Sequence, residues 1–137
     1  MALRVPGWEV RLYGVTMRAL RRGHEWGQHD CALFFSDCVE AVTGEQHAGS
    51  DRGSYKTRIG AARIIKRRGY SCLRDMIADE CPEIPVISAR RGDGAYFEGP
   101  EGPFVAVVDG AYAVAPGPQG LLHVPLNQAL TAFKVGD

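Results

Sequence analysis

No stretch of the sequence approaches the roughly 18 consecutive apolar residues of a membrane span. The run from Met1 to Val15 carries Arg4, Glu9 and Arg11 where a secretory signal needs an unbroken apolar segment. Both absences predict a chain that is made and folded in a cytoplasm. Neither sign of charge is in excess, with 16 Lys and Arg against 16 Asp and Glu, so the broad positive field on which most nucleic-acid binders rely is missing. Cys31, Cys38, Cys72 and Cys81 form no C-x-x-C pair, and His24, His29, His47 and His123 supply no H-x-x-x-H set. That spacing argues against zinc, and the sequence points to no metal and no cofactor. Internal repeats, low-complexity tracts and linkers are absent as well.

What remains is a chain of 137 residues, 45% of them hydrophobic, which suits one compact domain over residues 1–137 with a core large enough to need no staples. A disulfide framework is disfavoured by that core and by a cytoplasmic origin. Cys38, Cys72 and Cys81 therefore read as small buried hydrophobes. Cys38 follows Cys31 by seven residues, which places both sulfurs on one side of a helix.

The first half reads as helices. Pro6 followed by Trp8, Leu12, Val15, Ala19 and Leu20 gives an apolar stripe at helical spacing, with Gly23 expected to close it as a left-handed cap. Asp30 can cap a second helix whose inward face is Cys31, Phe34, Phe35, Cys38 and Val42, ending at Thr43-Gly44. Aromatic and sulfur side chains fill that stripe, so this helix should be the buried central one. A loop over residues 45–53 leads to a basic helix ending near Gly69, and Ser71 opens a short helix through Leu73, Met76 and Ile77.

After Pro82 the period changes. Gly94–Phe97, Phe104–Val108, Ala111–Val114 and Leu121–Val124 are short strand candidates separated by Gly, Pro and Asp, with Asp109-Gly110 as a two-residue hairpin turn. Helices first and an antiparallel meander second imply an α+β fold, with the sheet packed on the helix that carries Cys31.

Cys31 is the residue with the clearest chemical promise. A thiol at a helix N-terminus meets unpaired amide N–H groups and the positive end of the dipole, which favour thiolate and should lower its pKa by about one unit or more.

Three segments in this order carry a family resemblance: His29-Asp30-Cys31 with its apolar helix, Arg91-Gly92-Asp93-Gly94-Ala95-Tyr96-Phe97, and Phe104-Val105-Ala106-Val107-Val108-Asp109-Gly110. Together they resemble the NlpC-like branch of papain-fold cysteine peptidases and amidases, enzymes that cut cell-wall peptides and often ride on phage tails. The resemblance spans roughly Trp26 to Val124. Trp26-Gly27-x-x-Asp30-Cys31, Thr43-Gly44, Arg52-Gly53, Arg91-Gly92-Asp93 and Gly120-Leu121…Val124-Pro125-Leu126 are similar to a small group of proteins encoded among phage tail genes.

The resemblance implies a papain-like fold with Cys31 at the nucleophile position and Asp30 as the cap of its helix. It also implies a catalytic His where this chain has Phe104, whose ring would then face the sulfur. The following strand offers Ala113, Val114 and Ala115 where the family has a residue that orients the base. Phenylalanine can neither hold the ion pair nor protonate a leaving amine, and loss of such a base typically costs roughly two to four orders of magnitude in rate. His123 is the best substitute, since it opens a strand antiparallel to Ala111–Val114; a half-exposed strand histidine is the plainer reading. His29 precedes the helix, and His24 and His47 lie in loops.

Two expectations follow from the resemblance. One is a tail-tip or tail-assembly protein that keeps the shape but has lost most of its hydrolytic power. Its partners would be tail hub or tail-tip proteins, in several copies around the tail axis, first in the host cytoplasm and then at the virion tail tip. The other is an active amidase or endopeptidase on peptidoglycan stem peptides, with Cys31 as nucleophile and His123 as base. A third reading comes from residues 51–75, which hold eight basic side chains against two acidic ones. That segment reads first as a solvated helix face, then as a docking surface for an acidic protein or polymer. Nucleic acid is not expected there, because no aromatic platform accompanies the charges.

Overall fold

A computed structural model describes residues 2–46 and 51–137. The part of the expected 45–53 loop that includes His47 lies outside the described residues. Among the described residues, four helices precede the main sheet: α1 (Trp8–Ala19), α2 (Cys31–Thr43), α3 (Arg58–Arg67) and α4 (Leu73–Glu80). Six strands follow: β1 (Glu83–Ile84), β2 (Gly94–Gly99), β3 (Gly102–Asp109), β4 (Tyr112–Gly117), β5 (Gly120–Pro125) and β6 (Thr131–Phe133). They form one antiparallel sheet in the order β1-β6-β2-β3-β4-β5. The fold class is α+β, as the change of period after Pro82 implies.

α2 is the central helix because its two ends are specified and nearly all of its length is apolar. Asp30 sits in extended conformation and accepts from the Leu33 N–H, while Gly44 takes the left-handed C-cap that only glycine adopts without strain. Phe34, Phe35, Cys38 and Val42 are buried, as their spacing requires. α2 packs on α1 along one side and on β3 and β4 along another. Burying a side chain such as Phe34 or Leu12 stabilises the fold by about 2–3 kcal/mol.

The sheet has two unlike faces. Tyr96, Val105, Val107, Val114 and Phe133 join α2 in the larger core, and Cys31 packs against that cluster. Ala95, Phe97, Ala106, Val108, Ala113 and Ala115 occupy the opposite face, covered by Ala89, Leu126 and Ala129 from connecting segments.

Two sequence expectations need correction, and the solvated face expected of the basic helix is observed. α1 begins at Trp8 behind a left-handed Gly7 and ends at Leu20 in right-handed conformation, so Gly23 is no left-handed cap. Gly23 is needed for space instead: a Cβ there would lie 2.6 Å from the Pro118 carbonyl oxygen. The β3–β4 hairpin pairs Asp109 with Tyr112, so its loop is Gly110-Ala111, one residue later than expected. Gly110 alone has positive φ there, the requirement of a turn whose first central residue is left-handed. The basic helix α3 contains no buried residue, and its Ile59 is largely exposed.

The N- and C-terminal segments are tied to the start of β2 by one buried cluster. Arg4 donates to the Asp93 carboxylate at 2.9 Å, to the Arg91 carbonyl at 2.7 Å and to the Val135 carbonyl at 3.0 Å. Asp93 accepts in addition from the Val135 and Arg90 N–H groups, each at 2.9 Å. The guanidinium also lies 4.2 Å over the Trp8 ring. Arg91-Gly92-Asp93 is thus a structural clasp, and Gly92 has positive φ, where a Cβ would crowd Arg4 Nη1 at 3.0 Å.

Candidate functional site

The surroundings of Cys31 are assembled by three segments. Cys31 is the first residue of α2, and Asp30, fully buried, organises the turn before it. One Asp30 oxygen accepts from Leu33 N–H and the other from Gly27 N–H, each at 3.0 Å, while the Tyr55 hydroxyl donates to the second oxygen as well. A buried carboxylate with three donors has its hydrogen-bonding needs met, which fixes both the helix start and the loop over it. Gly27 permits this closeness. With φ +82°, it would place a Cβ 1.8 Å from the Tyr55 carbonyl oxygen, and its own carbonyl accepts from Gly53 N–H at 2.7 Å.

Arg52 reinforces the same loop: its Nη2 donates to both carboxylate oxygens of Asp37 on α2, 2.9 Å to each. The segments Trp26–Cys31 and Arg52-Gly53, far apart in the sequence, therefore meet over the start of α2.

The sulfur does not behave as its position predicts. Burial pushes the Cys31 thiol up to about 11. Backbone groups of Val105, Ala32 and Cys31 itself pull the other way, while the Asp30 carboxylate adds to the rise. The expectation of a lowered pKa is overturned because removal from water outweighs the helix N-terminus, and the capping carboxylate repels a thiolate. Cys38 is also raised well above its ordinary value by burial, and Cys81 is raised to about 12 for the same reason. All four cysteines are free.

Phe104 does not face the sulfur either. It pairs with Phe97 across β2 and β3 and stacks on that ring, with centroids 5.2 Å apart and planes at 11°, on the far face of the sheet. Strand alternation gives the Cys31 side to Val105 instead. The inert residue opposite the sulfur is thus an aliphatic one, a single position along from the expected ring.

None of the described histidines forms a hydrogen bond with Cys31. His123 lies exposed on β5 opposite Val114, two strands away from β3, which is about 10 Å across the sheet. His24 packs edge-on against Trp26. His29 is only two residues from Cys31, yet its ring packs edge-on against Phe34 and lines a separate groove between α1 and α2. Asp30 is brought to Cys31 as the helix cap, and His123 is not brought to it.

Two features escaped the sequence. Tyr55 completes the Asp30 site through a loop contact between residues 25 apart, which no spacing rule announces. The groove beside His29 gathers Arg11, Arg18 and Arg22 at helical spacing. That stripe was visible in the sequence, but the helix reading followed the apolar residues. No group of His, Cys, Asp and Glu suited to a metal ion occurs among the described residues, and no helix there is long and apolar enough to cross a membrane.

An antiparallel sheet with helices gathered on one face, and a capped cysteine at the start of the central helix, defines an α+β protein with a thiol-bearing helix terminus. More specifically, the chain belongs to the family described as a domain of unknown function, DUF6950, whose model matches residues 3–135. No curated protein and no solved structure matches it.

Proposed function

We propose that this is a protein associated with a phage tail tip or its assembly, built on an NlpC-like papain fold in which the hydrolytic chemistry has been lost or greatly weakened. The observation that carries the loss is at Cys31: its half-buried thiol packs against the cluster that contains Val105, and no described imidazole hydrogen-bonds to it, while burial also raises its pKa. Such a sulfur has neither the thiolate to attack a carbonyl nor the acid to protonate the departing amine.

The exterior supports docking as the remaining role. Val10, Tyr13 and Met17 on α1 and Leu20 at its C-cap recur at helical spacing and are all exposed, Val10 to 76%. An apolar stripe of this kind turned to solvent suits a protein that works by contact. The tail association, with copies around the tail axis and a passage from host cytoplasm to virion, rests on the likeness of Trp26–Cys31, Arg52-Gly53 and Arg91–Asp93 to proteins encoded among tail genes.

Two assays test the two halves. Purified peptidoglycan incubated with the protein should release no more stem-peptide fragments than it does with Cys31→Ala. Digestion that vanishes in that variant would restore the amidase or endopeptidase reading. Co-purification with the tail hub or tip proteins encoded beside it should recover a complex, and its absence with all of them would remove the tail assignment.

A further inference from the structure

The groove between α1 and α2 is separate from the Cys31 site, which lies on the sheet side of α2. It encloses about 630 Å³, a volume typical of small-molecule sites. α1 and the turn after it contribute Arg11, Arg18 and Arg22, α2 contributes Asp37 and Glu40, and Arg52 closes one side. Four guanidiniums against two carboxylates leave two positive charges around the opening.

Those charges are not equally engaged. Arg52 is committed to Asp37, and Arg11 is committed to the carbonyls of Ala41 and Glu40. The guanidiniums of Arg18 and Arg22, four residues apart in sequence, have no carboxylate or carbonyl partner among the described residues.

His29 lines the same groove. It is 3% exposed, and its Nε2 is buried with no hydrogen-bond partner among the described residues. Buried polar nitrogens are rarely left so, and one that persists beside unpaired cations calls for a functional account. We propose that this groove binds a small phosphate-bearing dianion between Arg18 and Arg22, with His29 as the polar side of the site. A dianion matches the two uncompensated charges, whereas a single carboxylate would leave one of them.

The imidazole is the built-in reporter. Burial holds it neutral, Arg22, His24 and Arg52 oppose its protonation, and Asp37 favours it. Arg18, Arg11 and Glu40 complete the charged surroundings. A bound dianion offsets the arginines, so the imidazole gains a proton as the ligand enters, and binding tightens as pH falls.

Titration of the intact protein with inorganic phosphate, followed by the His29 ring resonances in NMR at constant ionic strength, tests this. The expected result is a saturable shift, absent with chloride, that weakens about tenfold or more in Arg22→Gln and in Arg18→Gln. Both arginines are exposed, so unchanged melting without ligand confirms that each variant folds. Sulfate, a dianion at both values, should bind more tightly at pH 6 than at pH 7.5 in the parent and lose that dependence in His29→Gln. Phenyl phosphate then separates the sources: tighter binding than phosphate indicates a phosphate ester, and equal binding indicates the free ion. A shift that does not saturate, that chloride reproduces, or that survives both arginine substitutions would overturn the proposal.

Discussion

The guanidinium of Arg4 and the carboxylate of Asp93 stand 89 residues apart in the chain and meet at 2.9 Å with both side chains almost wholly withdrawn from water. The pair joins the segment before α1 to the start of β2, and the Val135 N–H draws the C-terminal segment onto the same carboxylate. The two partners are not equivalent. Without Arg4, Asp93 keeps two amide donors; without the carboxylate, a buried guanidinium and two amides lose their acceptor together. Asp93→Ala is therefore expected to cost about 3–5 kcal/mol and Arg4→Met less. For a chain of this size the former lowers Tm by roughly 10–17 °C. Thermal unfolding followed by circular dichroism checks the order, and a larger loss in Arg4→Met would contradict it.

This clasp also marks how far the sequence could be read. α2 was legible from end to end because every local signal agreed: the Asp30 cap, the stripe from Phe34 to Val42, and Gly44. The four longer strands were legible from their alternation and from the Gly and Pro between them. β1 and β6 were not, since two or three residues show no period and owe their pairing to contacts with distant segments. At the candidate site the cap was readable and the state of the sulfur was not. Helix position favours thiolate, but burial decides, and burial depends on where β3 places Val105.

Cys31 should accordingly be sluggish toward electrophiles. With its pKa at about 11, only about one sulfur in several thousand is thiolate at pH 7.5, two to three orders of magnitude fewer than for an ordinary thiol. Iodoacetamide labelling read by mass spectrometry should modify Cys31 far more slowly in the folded protein than after denaturation. Rapid labelling of the native chain would show an activated thiol.

The same raised thiol links stability to alkaline pH. Its folded value lies above the unfolded one, so its contribution is intact below about pH 9 and is lost as pH rises toward 11. Cys38, also raised by burial, adds to the loss above about pH 9, and Cys81 and Tyr96, both raised to about 12 by burial, extend it upward. Urea midpoints should fall through this window, and Cys31→Ala should flatten the early part of the slope.

On the acid side the relevant group is His29. Its folded pKa is lowered, by burial first and then by Arg22, so the unfolded chain takes up a proton below about pH 6.5 that the folded chain refuses. Stability should decline as pH falls from about 7 toward 5, in buffers free of phosphate and sulfate, and the decline should shrink in His29→Gln. A slope identical in the two proteins would assign the effect to other groups.

Phe104 offers a direct comparison with the NlpC-like pattern. Its ring belongs to the far face of the sheet, stacked on Phe97, so an imidazole placed there would also turn away from the sulfur. Phe104→His should leave peptidoglycan digestion at the level of Cys31→Ala, and it should lower stability through the lost ring stacking, by about 1 kcal/mol or more. Digestion that appears in Phe104→His would mean that β3 can present position 104 to the helix side, contrary to the pairing with Phe97.

The loop over Cys31 is more sensitive at Gly27 than at Tyr55, although Tyr55 makes the visible hydrogen bond. Tyr55→Phe removes one of three donors to Asp30 and leaves the amides of Gly27 and Leu33 in place, an effect of about 1–2 kcal/mol. Gly27→Ala instead forces a Cβ to within 1.8 Å of the Tyr55 carbonyl oxygen at a φ that alanine resists, so the backbone itself must move. That substitution should cost at least about 2 kcal/mol. Because it pries the Tyr55 segment from the start of α2, it should also speed Cys31 alkylation, which Tyr55→Phe should change far less. Measured together, urea stability and labelling rate distinguish a loop that covers the sulfur from one that merely lies nearby.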